Sequence, residues 1–244
     1  GDRRRAGGSR SSALAAALEA LEESARYDQQ PRAFNTNKNR SFNLDESDLV
    51  ALSAVRRGKV PLVVQVDRAA DIIKVVTAFG SYPALRLVLA SATEAWKVAP
   101  LLKADNIPVL INVMENLPQN FDRLGARLDQ ATLLAEAGVR FAFFSGSPYS
   151  ETRSLSQAAG IAVAQGLSWQ QAITAITAAP AEIWGLKGLG RIEVGAIADL
   201  VIWNGDPLEV TSAPVAVLID GARVDLETRQ DALAKRYVEL LNLK

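Results

Sequence analysis

Two hydrophobic periods alternate along this chain. From residue 60 onward, a short unbroken apolar run is followed each time by a longer stretch in which apolar residues return every third or fourth position. "VPLVVQVD" (60–67) precedes "RAADIIKVVTAFG", and "LRLVLAS" (85–91) precedes "TEAWKVAPLLKAD". "IPVLINV" (107–113) precedes, after a loop, "FDRLGARLDQATLLAEAG", and "VRFAFFS" (139–145) precedes "ETRSLSQAAGIAVAQG". Runs that are apolar throughout predict strands buried on both faces, and the 3.6-residue pattern predicts amphipathic helices. Four such units predict an α/β fold with a parallel sheet. The links "YPA", "NIP" and "AGV" are as short as helix-to-strand loops usually are.

The flanks carry other patterns. Residues 9–28 predict a helix capped by Ser9, Ser11 or Ser12, with Leu14, Leu18 and Leu21 as its buried stripe. Residues 31–46 are polar and Asn-rich, a loop, and "ESDLVALSAVRRG" predicts a short helix capped by Ser47 and ended by Gly58. "SWQQAITAITAAPAEIWG" predicts one helix opened by Ser168. The strands "GRIEVG", "ADLVIWNGDP" and "PVAVLIDGARVD" then predict a small β element, with turns at "NGDP" and "DGAR". A charged amphipathic helix, "LETRQDALAKRYVELLNL", closes the chain.

Composition narrows the chemistry. The 244 residues contain neither cysteine nor histidine. That excludes disulfides, thiolate nucleophiles, His general bases and His- or Cys-ligated metals built from this chain alone. Lys+Arg and Asp+Glu balance at 27 each, so no electrostatic reason exists to expect nucleic acid or an anionic membrane as partner. No apolar run approaches the roughly 20 residues of a bilayer span, and "GDRRRAGGSR" has no apolar segment behind it of the kind a signal peptide needs. Carboxylates, amides, hydroxyls, Lys and Arg remain.

The stretch "GLGRIEVGAIADLVIWNGDPLEV", preceded by "ITAAPAEIWGL", resembles the C-terminal signature of the amidohydrolase superfamily in its imidazolonepropionase-like branch. The likeness is specific over roughly 170–225 and collinear back to about residue 60. It implies that the four βα units are strands five to eight of a TIM-like (β/α)8 barrel, joined to part of a small β-sandwich. The domains implied are 1–186 for the half barrel, 187–226 for the portion of the sandwich and 227–244 for the last helix. On this reading the chain is a C-terminal piece, and strands 60–67 and 139–145 need partners supplied from elsewhere. Val63, Leu87, Leu89 and Phe143 are expected on the inner layer that such a half leaves open, so that the piece alone aggregates or stays molten.

The resemblance also locates a metal site, and this sequence departs from it. The strand-five His of the family falls on Gln65, the strand-six His near Ser91 or Ala92, and the strand-eight Asp on Gly146. No metal ligand is therefore expected from this chain, and zinc enters only if an absent N-terminal half supplies ligands. Asp67 is the candidate general base or weak ligand, or else the cap of the helix that follows it. Gln65, Ser91, Glu94, Asn112, Glu115, Ser145 and Ser147 are the candidate ligand-binding residues, with Asn116 and Tyr149 beside them. Glu94 also suits a helix start, where a carboxylate is stabilised by the helix dipole. No His or nearby Lys activates Ser145 or Ser147, so nucleophilic catalysis is not expected. Trp96, Trp169, Trp184 and Trp203 are expected in the core, and Asp199 and Asp206 in structural roles.

Two functional readings follow. One is a metal-depleted pseudoenzyme that binds a small-molecule ligand or a partner chain. The other is a hydrolase of cyclic amides or dipeptide-like substrates whose metal ligands lie in the absent half. The expected partners are that N-terminal half or a complementary subunit, with a homo-oligomer as an open alternative and neither nucleic acid nor membrane. Relatives with this tail are often exported in bacteria, so the resemblance points to the periplasm.

Overall fold

A computed structural model describes residues 8–29, 42–115, 117–145 and 154–242. Its centre is a four-stranded parallel sheet in sequence order: β1 (Leu62–Val66), β2 (Leu87–Ser91), β3 (Val109–Ile111) and β4 (Phe141–Phe143). These are the four apolar runs, each trimmed at its ends. Helices α1 (Arg10–Gln29) and α2 (Glu46–Arg56) precede β1, and α3 (Ala69–Phe79) links β1 to β2. A 3-10 turn (Ala95–Val98) and α4 (Ala99–Ala104) link β2 to β3, and α5 (Gln130–Glu136) precedes β4. Then come α6 (Leu155–Ala164), α7 (Trp169–Ile176) and α8 (Ala178–Trp184). Strand order and helix placement are those of consecutive units of a (β/α)8 barrel.

Register decides what each face of the sheet does. Leu62 pairs with Leu87 and Val64 with Leu89, while Val63 pairs with Val88 and Gln65 with Ala90. Leu87, Leu89, Val109, Ile111, Phe141 and Phe143 pack into the main core with Ile72, Phe79, Leu102 and Leu134 from the helices. The opposite face carries Val88, Ala90, Leu110 and Ala142, under Ile183 of α8. Leu87, Leu89 and Phe143 therefore do not belong to the open inner layer, contrary to expectation. Side chains alternate with period two, so Val63 and Leu87 cannot share a face when Val63 is partnered by Val88. Val63 does lie on the inner face and is 41% exposed.

Several helices differ instructively from the pattern. Ser9 caps α1 as expected, accepting from Ser12 N at 3.0 Å, but α2 is capped by Asp45 rather than Ser47. The Asp45 carboxylate accepts from Asp48 N at 3.0 Å, and Ser47 donates its hydroxyl to that same carboxylate. Gly58 ends α2 at φ +70°, and a Cβ there would meet Ala84 O at 2.2 Å. Ser168 opens α7 with a full capping box to Gln171. The single helix expected over 168–185 is nevertheless two, broken at Thr177 (φ −127°, ψ −83°). Pro180 explains the break: it has no N–H to give Ile176, and its ring excludes that carbonyl. The helix expected across "FDRLGARLDQATLLAEAG" is confined to α5, and residues 120–129 are turns that lead along the C-terminal ends of the strands.

The second sheet is antiparallel: β5 (Leu200–Trp203), β6 (Pro214–Ile219) and β7 (Ala222–Arg223). Asp220 and Gly221 both take positive φ (51° and 77°) in the β6–β7 turn, as a tight hairpin of this twist requires. "GRIEVG" is not a strand; Ile192 and Val194 lie exposed between Gly190 and Gly195, both at positive φ. Asp199 and Asp206 have structural partners: Asp199 accepts from Asp220 N at 2.8 Å, and Asp206 from Leu208 N and Trp169 Nε1. Trp169 and Trp184 are half-exposed rather than core residues. The last helix, α9 (Arg229–Asn242), is exposed along its described length.

Candidate functional site

The C-terminal ends of β1, β2 and β3 gather most of the candidate residues. Gln65 lies on the inner face of β1, and its Nε2 donates to Ser91 Oγ at the tip of β2 over 3.4 Å. Ser91 and Ala92 both sit in the left-handed region (φ 62° and 44°), an unfavourable conformation for residues with a Cβ. It turns the chain sharply as it leaves the sheet. Gln130 of α5 holds that turn by donating to Ala92 O at 2.8 Å. Trans-strand contacts then fix Asp67. Its carbonyl accepts from Glu94 N at 2.8 Å, and its carboxylate accepts from the Thr93 hydroxyl at 2.6 Å.

Asp67 and Glu94 exchange the roles expected of them. Asp67 does not cap α3; the cap position is Arg68, whose side chain makes no capping bond. The acceptor comes from the neighbouring unit. Glu94 Oε2 takes the N–H of Ala69 at 2.9 Å, and Glu94 Oε1 takes Lys97 Nζ at 2.5 Å. Burial works against the charged form of Glu94. Hydrogen bonds from Lys97 and Ala69 N, with the charges of Lys97 and Arg68, outweigh it and hold the carboxyl below the usual range.

Arg123 was not among the candidates, yet it organises the site. Its side chain is 15% exposed and lies between two carboxylates, with Nε 3.5 Å from Asp67 Oδ2 and Nη1 hydrogen-bonded to Glu115. Burial opposes the charge on Arg123, but Glu115 and Asp67 raise its pKa above the ordinary value. The turn that delivers it is fixed at several points. Asn120 Oδ1 accepts from Asp122 N at 2.9 Å, Asp122 pairs with Arg10 and Arg68, and Trp96 Nε1 donates to Gly125 O at 3.0 Å. The Asn-x-Asp turn chemistry and Gly125 in "PQNFDRLGAR" were the signals for that geometry.

Asn112 and Glu115 follow β3. Asn112 Oδ1 accepts from Met114 N at 3.1 Å, while its Nδ2 is buried and has no hydrogen-bond partner among the described residues. Beside these lies a void of about 10 Å³ bordered by Ser91, Thr93, Asn112, Glu115, Arg123 and Gln130, a volume that suits one water-sized atom. Ser145 stands half-buried just beyond β4. Ser147, with Gly146, Tyr149 and Asn116, lies outside the described residues. Among the described residues, no group of three or more Asp or Glu side chains converges as a metal would need. A larger cleft, about 540 Å³, opens at the opposite end of the strands between Phe79, Arg86, Ile107, Arg140 and Ile183.

A model of the Amidohydrolase family matches residues 133–225. The match takes in the C-terminal part of the chain, 93 of its 244 residues. An amidohydrolase, tasK, of Hapsidospora irregularis is 36% identical over 90 residues, which are 36% of this chain and 9% of that protein. Among solved structures, an amidohydrolase from Thermotoga maritima MSB8 superposes on 92% of this chain and 58% of its own, with a TM-score of 0.80 and 24% identity. A prolidase complexed with N-methylphosphonate-L-proline covers 75% of this chain and 50% of its own, with a TM-score of 0.56 and 20% identity. The chain shares with both the fold of a partial TIM-like barrel, and it spans 58% of the first structure and 50% of the second.

Proposed function

We propose that this amidohydrolase-like chain contributes a binding rim, for a small ligand or a partner chain, instead of a hydrolytic metal centre. The observation that carries the reading is the state of the acids at the strand tips. Asp67 and Glu115 are bridged by Arg123, and Glu94 is committed to the α3 N-terminus and Lys97. A hydrolytic zinc does not fit this donor set. Gln65 and Ser91 are neutral and bonded to one another, and each carboxylate already faces a cation. Zinc takes imidazole, thiolate or free carboxylate ligands, and without it a bound water keeps a pKa too high to attack an amide at neutral pH.

What the rim offers is hydrogen bonding. Asn112 Nδ2, without a partner among the described residues, and the Ser91 hydroxyl border the void together with the Glu115 carboxylate. That set suits a carbonyl or hydroxyl oxygen. Val63 and Gln65, on the less covered face of β1, support the barrel's complementary half, or a complementary subunit, as the wall that completes the pocket.

The test is metal analysis of the purified full-length protein, with hydrolysis of a panel of cyclic amides and dipeptides measured with and without chelator. The expected result is substoichiometric metal and no chelator-sensitive turnover. Stoichiometric zinc with turnover abolished by chelator overturns the reading. It would favour a genuine hydrolase whose ligands come from polypeptide outside these 244 residues, as the partial coverage of the Thermotoga maritima structure allows.

A further inference from the structure

We propose that Arg123 is the site's own cation: a tethered guanidinium that stands between Asp67 and Glu115 and keeps divalent ions out. The proposal rests on the reading above that the rim holds no hydrolytic metal, and it names what supplies the counter-charge to its acids. Two carboxylates from different strand ends converge on one side chain, and all three groups are largely withdrawn from solvent. Left without a cation, the acids would repel one another in a medium that screens poorly. An arginine stays protonated at any pH the fold survives and cannot be removed by a chelator. A metal would be exchangeable; this cation is not.

The placement of Arg123 is built rather than incidental. Arg123 N donates to Asn120 O at 3.1 Å inside the turn that Asn120 and Asp122 close. Arg10 Nη1 and Arg68 Nε grip Asp122 at 2.7 and 2.9 Å, anchoring the turn to α1 and to the start of α3. Gly125 lies against Glu94, where a Cβ would meet Oε1 at 2.4 Å, so a larger residue there would push the Glu94 side chain aside. A surface arginine that paired by chance would have none of these supports.

If the guanidinium stands in for an ion, removing it should create a site for one. Asp67 and Glu115 offer hard oxygen ligands on either side of the guanidinium, Glu115 borders a void the size of a water, and Mn²⁺ accepts such ligands while keeping several waters. The experiment uses the full-length protein and Mn²⁺ as probe, read by the EPR signal of the free ion and by the thermal midpoint. The wild type and Arg123→Lys should show no saturable Mn²⁺ binding up to about 10 mM. Arg123→Met should bind one Mn²⁺ at least about tenfold more tightly and gain melting temperature with Mn²⁺ concentration. The triple variant Asp67→Asn/Glu115→Gln/Arg123→Met should do neither. Arg123→Met that takes up no more Mn²⁺ than a metal-free wild type overturns the proposal and leaves the binding reading standing. Stoichiometric zinc with hydrolysis in the wild type overturns that reading instead. Should Arg123→Met fail to fold, rescue by Mn²⁺ or by removal of both carboxylates supports the proposal. Failure of both rescues assigns Arg123 a packing role and overturns it.

Discussion

Replacing Glu94 by alanine removes two things at once: the acceptor for Ala69 N at the start of α3, and the partner of Lys97. A lost N-terminal acceptor costs about 1 kcal/mol. The Lys97 pair adds about 0.5 kcal/mol, because Glu94 is 15% exposed but Lys97 is 40% exposed and much of the attraction is screened. Glu94→Ala should therefore lose about 1.5 kcal/mol, or about 3–6 °C in a chain of this length. Glu94→Gln keeps an oxygen for Ala69 N and loses only the charge, so about a third of the loss is expected. The pH dependence has a definite sign. The folded carboxyl is held below its usual range. Its charge therefore stabilises the fold above the unfolded pKa, about 4.3, and that contribution disappears as pH falls through the lower folded value. Urea unfolding of parent, Glu94→Gln and Glu94→Ala at pH 7 and at steps from pH 5 down to 3 checks this. The parent should converge on Glu94→Gln at the acid end. A Glu94→Ala midpoint indistinguishable from the parent at pH 7, or a parent-to-Gln gap that holds constant with pH, would refute the assignment of Glu94 as the cap.

Two further substitutions probe the frame around the site. Gly190 sits at φ +78°, and a Cβ there would lie 2.5 Å from Thr177 O and 2.8 Å from Ala178 Cα. Gly190→Ala should cost about 1–3 kcal/mol, and a unchanged melting temperature would mean that the break between α7 and α8 yields easily. Leu102 of α4 is fully buried in the main core. Leu102→Ala should cost about 2–5 kcal/mol in urea unfolding, and a loss below about 1 kcal/mol would show that the helix layer is loosely packed.

The four βα units were legible because their strands are apolar on both faces, and only a parallel sheet covered on both sides gives that pattern. The same uniformity hid which face was which. Nothing in "LRLVLAS" distinguishes Leu87 from Val88, and the assignment came from register against β1. Pro180 is a helix breaker visible in the sequence, although the apolar period continues across it. At the site, the location of Gln65, Asp67, Ser91, Glu94, Asn112 and Glu115 followed from their positions at strand ends, but their partners did not. Glu94 reaches the helix of the preceding unit, a contact between residues 25 positions apart that local capping rules do not reach. Arg123 falls inside "FDRLGARLDQATLLAEAG", where apolar residues recur at helical spacing and predict a helix with no site role for it. The turn made by Asn120, Asp122 and Gly125 overrode that spacing and aimed the guanidinium inward.

Consecutive strands of the parallel sheet are neighbours, and the order β1-β2-β3-β4 skips none. Such an order keeps the sequence separation of contacts small and makes assembly a matter of successive addition, each new unit docking on the one before it. It also makes the fold divisible. A cut between units interrupts one strand pair and leaves the remaining ladders intact, whereas a cut in a sheet of interleaved strands would strip several at once. Even the cross-unit contacts at the rim obey this economy: Glu94 caps the helix of the unit directly before it, and Gln130 supports the strand exit of an adjacent one. A barrel built this way can be exchanged, duplicated or rejoined in whole units. The natural joints are the short links between a helix and the strand that follows it.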